Sequence, residues 1–146
     1  MKPREFLQKL DDAKVVAAIQ AAENSTSGEI RVFVTNRTLG PAEAVDRATV
    51  RFKKLGMTNT RDRNAILLYF APRARQFAVV GDKHIHEKCG HAFWNEVAAR
   101  TCAALRRGEF TGAVLGAVEM AGEVLARHFP RLPDDRNELP NEVGRD

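Results

Sequence analysis

Residues 60–94 read TRDRNAILLYFAPRARQFAVVGDKHIHEKCGHAFW, and this stretch decides the fold. An apolar run from Ala65 to Phe70 is separated from a second run, Gln76 to Val80, by a proline-containing turn at Ala71 to Arg75. Two short apolar runs joined by such a turn are typical of a β-hairpin. A cluster of His, Cys and acidic residues follows, and then an amphipathic helix that carries the only tryptophan, Trp94. The polar groups therefore lie at the open end of the predicted hairpin.

Patterns on either side of the hairpin complete the predicted fold. Glu29 to Thr35 alternates between two faces, which predicts a further strand. Apolar spacing and capping residues predict four helices, about Asp12 to Glu23, Pro41 to Gly56, His91 to Arg107 and Thr111 to His128. The strand–helix–strand segment should form a parallel crossover, to which the hairpin adds an antiparallel strand. The predicted fold class is α/β, a three-layer α/β/α sandwich with a small mixed sheet flanked by helices.

Length and composition indicate one globular domain. The chain has 146 residues, 44% of them apolar and 29% charged, and a chain of this size can bury a core without metal or disulfide crosslinks. We assign residues 1–130 to the domain and residues 131–146 to an extended acidic tail. No apolar stretch approaches the roughly 20 residues of a membrane helix, and no signal peptide is evident. We therefore expect no membrane span and a cytoplasmic location.

Charge and cysteine content narrow the classes of partner. The formal net charge is only +4, and the arginines and lysines are scattered over predicted turns and helix surfaces. Nucleic-acid-binding proteins usually cluster their basic residues on one face, so nucleic acid is not expected as a partner. Cys89 and Cys102 are expected to be free thiols, as in a reducing compartment.

Three predicted loops meet at one end of the sheet and bring oxygen ligands together. In a hairpin centred near Arg73, Asn64 lies roughly opposite Asp82, and the parallel crossover brings the start of the first strand to the same end. The candidate ligands are Glu29, Asp62, Asn64, Asp82 and Glu87. Hard cations such as Ca²⁺ prefer oxygen ligands. The sequence therefore predicts a divalent-cation site, with Ca²⁺ as the first candidate.

Each of these residues also has a structural interpretation. Asp82 follows Gly81 and could cap the next helical turn. Asn64 could satisfy loop backbone groups, and Asp62 could pair with one of the neighbouring arginines. These alternatives remain open at the level of the sequence.

A second cluster consists of His84, His86, Cys89 and His91. Imidazole and thiolate are the ligands that zinc selects, but the spacing is not that of a standard structural site, because no second ligand pair lies elsewhere in the chain. Zn²⁺ is therefore a less favoured cofactor than Ca²⁺.

In the order of its motifs the chain resembles the TPM domain family. That family is named after a thylakoid lumen protein, a photosystem II-associated protein and a nematode receptor-modulating protein. The resembling segments are Ala18-Ile19 with Ala22-Glu23, Thr26 to Val32, Asn64 with the strand after it, Arg75 to Asp82, Ile85 to Lys88, Phe93-Trp94 and Asn137 to Asn141. They span most of the chain, and the form that it resembles is the short, soluble bacterial one.

The resemblance implies an α/β/α sandwich and several activities. Acid phosphatase activity is associated with a plant member, and the family is also associated with calcium binding and with protein-partner roles in photosystem repair and receptor modulation. The chain departs from the family at His84, where glycine is expected, and at Cys89 and His91. The His/Cys cluster is therefore a poor guide to a shared function.

Two functions follow from these observations. The first is a non-catalytic module that binds a divalent cation and an unidentified protein partner. The second is a metal-assisted acid phosphatase that acts on phosphate esters through the same carboxylates, with Asp82 as nucleophile or metal ligand. We favour the module, because the sequence contains no Gly-x-Ser-x-Gly elbow and no assignable activated nucleophile or general base.

Overall fold

The elements follow each other in the predicted order, with one additional strand at the end. The structure is a computed structural model that describes residues 10–133 and 139–146, apart from the side chain of His91. The helices are α1 (Asp12–Glu23), α2 (Ala44–Lys54), α3 (Lys83–Arg106) and α4 (Phe110–His128), and the strands are β1 (Glu29–Val34), β2 (Ala65–Ala71), β3 (Gln76–Gly81) and β4 (Gly144–Arg145). Short 3₁₀ turns cover Met57–Asn59 and Pro72–Ala74.

The four strands form one mixed sheet in the order β3-β2-β1-β4. β1 and β2 pair in parallel, with Glu29 beside Ala65, and β2 and β3 form the antiparallel hairpin. All seven residues of β2 are buried. This confirms the parallel crossover, the hairpin and the central position of the strand that is apolar on both faces.

Helices cover both faces of the sheet and produce two cores. On one face Ile30 and Val32 of β1 pack with residues of α1, α3 and α4. On the other face Phe33 packs with Ala48 and Phe52 of α2. The predicted α/β/α sandwich is therefore confirmed. No helix within the described ranges is long and apolar enough to span a membrane.

Two helices begin at other residues than predicted. α3 starts at Lys83 rather than His91, because Asp82 caps it and accepts a hydrogen bond from the Lys83 backbone N–H. A kink at Gly90, with φ +70°, separates the added turns from the rest of α3. α2 starts at Ala44 rather than at Pro41, because Ala42 has a left-handed backbone, with φ +56°, that cannot continue a helix.

The last residues of the chain add a strand to the free edge of β1. Gly144 and Arg145 pair in parallel with Phe33 and Val34. The backbone of Gly144 lies against the Phe33 ring, since a Cβ there would be 2.5 Å from Phe33 Cδ2. Arg145 Nη2 donates to Asp12 Oδ1 at 2.7 Å, which fixes this strand to the start of α1. The acidic segment predicted as a tail thus ends within the sheet.

Candidate functional site

The three predicted loops meet at one end of the sheet. Asn64 Nδ2 donates to Ser27 Oγ at 3.1 Å, which joins the loop before β2 to the loop before β1. His84 Nδ1 lies 2.7 Å from the Asp62 carbonyl oxygen and joins the same loop to the start of α3. Both links connect segments far apart in the sequence, so the convergence depends on the sheet.

The hairpin register differs by one residue from the predicted one. Ile66 lies opposite Gly81, and the Asp82 N–H donates to the Ala65 carbonyl oxygen at 2.9 Å. Asp82 is therefore opposite Ala65 rather than Asn64. The cause is the connection of four residues, 72–75, which places the centre of the hairpin between Arg73 and Ala74. A shift of one residue moves a side chain to the other face of a sheet, and the two side chains have different partners, Ser27 for Asn64 and Arg63 for Asp82.

Asp82 serves the structure at this end of the sheet. Its carboxylate accepts two hydrogen bonds from the Arg63 guanidinium, at 2.8 and 2.9 Å, and one from the Lys83 N–H at 2.7 Å. Burial would raise the pKa of Asp82, but the Arg63 and Lys83 hydrogen bonds outweigh it and hold the pKa below its ordinary value of 3.8. These contacts are the capping and pairing alternatives considered from the sequence.

Asp62 and Glu87 do not join Glu29 in a cluster of carboxylates. Asp62 Oδ1 lies 3.5 Å from Arg61 Nε, and Glu87 is on the exposed surface of α3. Within residues 10–133 and 139–146, no three His, Cys, Asp or Glu side chains lie close enough to hold a metal ion on their own. The five predicted ligands are thus divided among separate contacts.

Glu29 is instead paired with Glu23, at the end of α1. The two side chains are 2% and 7% exposed, and a side-chain hydrogen bond from Glu29 is among the causes that lower the pKa of Glu23 against the effect of burial. Such a bond between two carboxyl groups needs one proton. Glu23 Oε2 also accepts a hydrogen bond of 2.9 Å from the Ile30 N–H. We call Glu23 and Glu29 the carboxyl dyad.

The carboxyl dyad lines a polar cavity of about 110 Å³. Ser27, Asn141 and Arg131 are also in its wall. Arg131 Nη1 donates to the carbonyl oxygen of Glu23 at 3.0 Å, so its charge lies close to the dyad. The cavity thus combines two carboxyl groups, neutral oxygen donors and one guanidinium.

Asn64 lies behind the cavity wall and contacts it through Ser27. Its side chain is completely buried, and Oδ1 has no hydrogen-bond partner among the described residues. Its Nδ2 donates to the hydroxyl of Ser27, a residue of the cavity wall. An unpaired buried amide oxygen is costly in a folded protein, and the nitrogen of the same amide is bonded to the cavity wall.

The Thr26-Ser27-Gly28 turn fixes the dyad because it is tied to the end of α4. Thr26 Oγ1 donates to the Phe129 carbonyl oxygen and accepts from the Gly28 N–H at 3.0 Å. Gly28 lies against Leu125, since a Cβ there would be 2.7 Å from Leu125 Cδ2. The turn therefore holds the start of β1, and with it Glu29, beside the end of α1.

Sequence reasoning found Glu29 but missed Glu23, Ser27 and Asn141. Glu23 resembles an ordinary polar residue at the end of a helix. Its position did contain a signal, because it follows the buried Val15 and Ile19 at successive four-residue spacings on α1 and so occupies a core-facing position. A glutamate at such a position needs a polar partner.

The raised pKa of Glu23 leads to a prediction about how the stability of the fold depends on pH. Burial raises the pKa above its ordinary value of 4.5, although the hydrogen bonds from Glu29 and Ile30 and the charge of Arg131 oppose this. The folded protein therefore holds the proton more tightly than the unfolded chain. This contribution to stability is complete below about pH 4.5 and is lost as the pH rises through the raised pKa.

We expect Glu23→Gln to remove this loss, because glutamine keeps the hydrogen-bond acceptor and carries no charge. The variant should then be more stable than the wild type at about pH 8 and lose that advantage towards about pH 4.5. Thermal melts across this range measure the difference, with exposed Glu87→Gln as the control. Parallel pH profiles of Glu23→Gln and wild type would contradict the prediction.

Two members of the His/Cys cluster have contacts of their own, and the side chain of His91 lies outside the described part of the structure. The His86 ring packs on Trp94, with 5.5 Å between centroids, whereas Cys89 is half-buried against the core of the three-helix face. Burial raises the pKa of the Cys89 thiol, which disfavours the thiolate that zinc requires. Cys89 and Cys102 are both free thiols, as predicted.

Comparisons with known proteins agree with the fold. The family model of the TPM domain matches residues 1–124. The NMR structure of the BA42 protein from the psychrophilic bacterium Bizionia argentinensis is 34% identical, covers 92% of both chains and superposes with a TM-score of 0.83. No curated protein sequence matches the chain.

A more distant structure shares the fold alone. The solution NMR structure of the N-terminal domain of a protein from P. gingivalis is 18% identical, with a TM-score of 0.64. It covers 77% of this chain and 72% of its own.

Proposed function

Since the chain belongs to the TPM domain family, we propose that it is a non-catalytic module that binds a divalent cation at the carboxyl dyad and also binds a protein partner. The observation that supports the cation site is the pair of buried carboxyl groups facing a polar cavity. Oxygen ligands of this kind suit Ca²⁺ and Mg²⁺.

The residues present fit a hard cation in part. Glu23 and Glu29 supply two carboxylates, and Ser27 and Asn141 supply neutral oxygens on the same cavity wall. Mg²⁺ is often bound through one or two carboxylates with several waters, whereas Ca²⁺ takes more protein oxygens. Asp62, Asp82 and Glu87 do not belong to this cavity wall, so Glu29 is the one predicted ligand that the proposal retains.

A cation would replace the proton that the dyad shares. Two ionised carboxylates at hydrogen-bond distance repel each other, and either a proton or a cation relieves the repulsion. Arg131 supplies part of the compensation at the cavity wall. Cation affinity should therefore rise with pH, as the dyad loses its proton.

Thermal melts with EDTA, Ca²⁺, Mg²⁺ or Zn²⁺ at about pH 7.5 test the cation site. At about ten times its dissociation constant, a cation that binds only the folded state should stabilise the wild type by about 1.4 kcal/mol. Glu29→Gln should lose most of this stabilisation, because it removes one of the two charged ligands, and Glu87→Gln should keep it. Equal shifts in the wild type and Glu29→Gln, or no shift with any cation, would refute the site. A shift with Zn²⁺ alone, lost in Cys89→Ser, would assign the metal to the His/Cys cluster instead.

A metal-assisted acid phosphatase is the second candidate, and the raised pKa of Glu23 favours it. A carboxyl group that keeps its proton can protonate a leaving group, and a cation beside it can polarise a phosphate ester. Asp82 is poorly suited to act as the nucleophile, because Arg63 and the Lys83 N–H hold its carboxylate. Turnover of p-nitrophenyl phosphate that requires Mg²⁺ or Ca²⁺, is lost in Glu23→Gln and persists in Glu87→Gln would favour the enzyme.

A further inference from the structure

An apolar groove runs between α1 and α4, on the outer side of the three helices, α1, α3 and α4, that cover one face of the sheet. Its volume is about 470 Å³, and its walls are small or aliphatic side chains that include Ala18, Ala21, Leu115, Val118 and Ala126. The two helices run in the same direction, since the Asp11 N–H donates to Thr111 Oγ1 at one end and Ala22 meets Gly122 towards the other. The walls from Leu115 to Ala126 give a straight groove of roughly 16 Å.

An acidic ridge borders this groove. Glu119 and Glu123 are exposed, lie one turn apart on α4 and line the groove. Glutamates with this spacing repel each other. Neither makes an ion pair within the described ranges, whereas the exposed Glu96 and Glu109 and the half-buried Glu43 each pair with an arginine.

Two arginines near the ridge form no ion pair with it in the described part of the chain. Arg100 lies across a smaller cavity on the far side of the ridge and pairs with Glu96 at 3.5 Å. Arg127 follows Glu123 by one turn but forms no ion pair with it in the described part of the chain. The groove side of the ridge therefore presents two carboxylates next to apolar surface.

We propose that this groove binds a cationic amphipathic helix of a protein partner. Small and aliphatic side chains of the partner would fill the groove, and its lysines or arginines would lie against Glu119 and Glu123. The inference deepens the protein-binding part of the proposed function and is independent of the cation site.

The shape and charge of the groove select this partner over others. Both walls are helices, which offer no free backbone edge, so an extended peptide would leave its own N–H and C=O groups unpaired, whereas a helix pairs them internally. Two copies of the chain meeting face to face here would bring four carboxylates together. An anionic membrane would be repelled by the ridge.

A designed peptide provides the probe. It is a fluorescein-labelled helix of about 18 residues with Leu and Ala on one face and Lys on the other. A control peptide, the Glu peptide, carries Glu in place of Lys. Fluorescence anisotropy should show that the wild type binds the Lys peptide at least about tenfold more tightly than the Glu peptide. Equal affinity for both peptides would overturn the proposal.

Variants locate the binding. Glu119→Lys with Glu123→Lys should weaken binding of the Lys peptide by about tenfold or more, and Ala21→Trp should weaken it by filling the groove from an exposed wall position. The matched control is Asp46→Lys with Glu142→Lys, which makes the same change in net charge at exposed acidic residues elsewhere. Equal losses in the two double variants would mean that only net charge matters and would overturn the proposal.

Other occupants of the groove would give different experimental results, and each of these results would overturn the proposal of a cationic partner helix. A dimer in sedimentation that Ala21→Trp dissociates would assign the groove to a second copy. Binding of the Lys peptide only after removal of residues 1–9 would assign the groove to the chain's own N-terminal segment, and ridge-dependent binding to phosphatidylcholine–phosphatidylglycerol vesicles would assign it to lipid.

The peptide-binding and melting measurements are repeated in EDTA and in Ca²⁺, so that the groove and the cation site are tested separately. If a cation shifts the melt but the Lys peptide does not bind, only the groove proposal is rejected. If the Lys peptide binds but no cation shifts the melt, only the cation site is rejected.

Discussion

Leu125→Ala is expected to lower the free energy of unfolding by about 3 to 5 kcal/mol. Leu125 is fully buried in the three-helix core. Removing such a side chain loses its transfer free energy and leaves a cavity that the surroundings fill only in part. Urea unfolding followed by the fluorescence of Trp94, which is half-buried against Gly81, measures the change.

The loss should be coupled to Gly28, which contacts Leu125. Gly28→Ala in the wild type places a methyl group within 2.7 to 2.9 Å of the two Leu125 methyl carbons and should cost about 1 to 3 kcal/mol by overpacking. In the Leu125→Ala background the same methyl group enters the new cavity. We therefore expect the double variant to be more stable than the sum of the single effects predicts, by about 0.5 kcal/mol or more.

Leu115→Ala is the matched control, because it removes a leucine from the same helix at a half-buried position. It should cost clearly less than Leu125→Ala and show no coupling to Gly28. An equal penalty of Gly28→Ala in the wild type and in Leu125→Ala would contradict the packing of Gly28 against Leu125.

Asp82→Ala should have the next largest effect, a loss of about 1 to 2 kcal/mol. The substitution removes the N-cap of α3, which is worth about 1 kcal/mol. It also leaves Arg63 without its carboxylate partner. Arg63 is 42% exposed, so water compensates for part of this loss.

Asp82→Asn separates the two contributions, since asparagine is a good N-cap but carries no charge. We expect it to lose less stability than Asp82→Ala at neutral pH. The pKa of Asp82 is below its ordinary value of 3.8 in the folded protein, so the charged contribution is present above about pH 3.8 and is lost as the pH falls through the folded pKa. The wild type and Asp82→Asn should then converge in acid. A constant difference between them over that range would contradict the ion-pair explanation.

The hairpin segment shows how far local patterns predict this fold. The apolar runs at Ala65 and Gln76 predicted both strands correctly, because strand pairing needs apolar side chains on the faces that helices cover. The start of α3 was placed too late, because an N-cap aspartate and a glycine kink are local features that compete with apolar spacing. The approximate register was predicted to within one residue, since the exact register depends on the number of residues in the turn.

The candidate site shows which features local sequence patterns do not predict. The convergence of three loops followed from the parallel crossover, which places Glu29 beside Ala65 at this end of the sheet. Which side chains meet there could not be predicted, because a single register shift and one arginine, Arg63, decide the surroundings of Asp82. Glu23 approaches from another layer, and its distance from Glu29 depends on how α1 packs on the sheet.

By itself, the sequence determined the order and type of the main elements, the mixed sheet and its covering by helices on both faces. These depend on periodicity and turn chemistry, which act over a few residues. Only the tertiary structure decided the edge strand β4, the Arg63–Asp82 pair and the carboxyl dyad. Gly144 meets Phe33 across more than a hundred residues of chain, and Glu23 meets Glu29 because the turn between them is fixed to the end of α4. Such contacts depend on packing between distant segments, which no local pattern encodes.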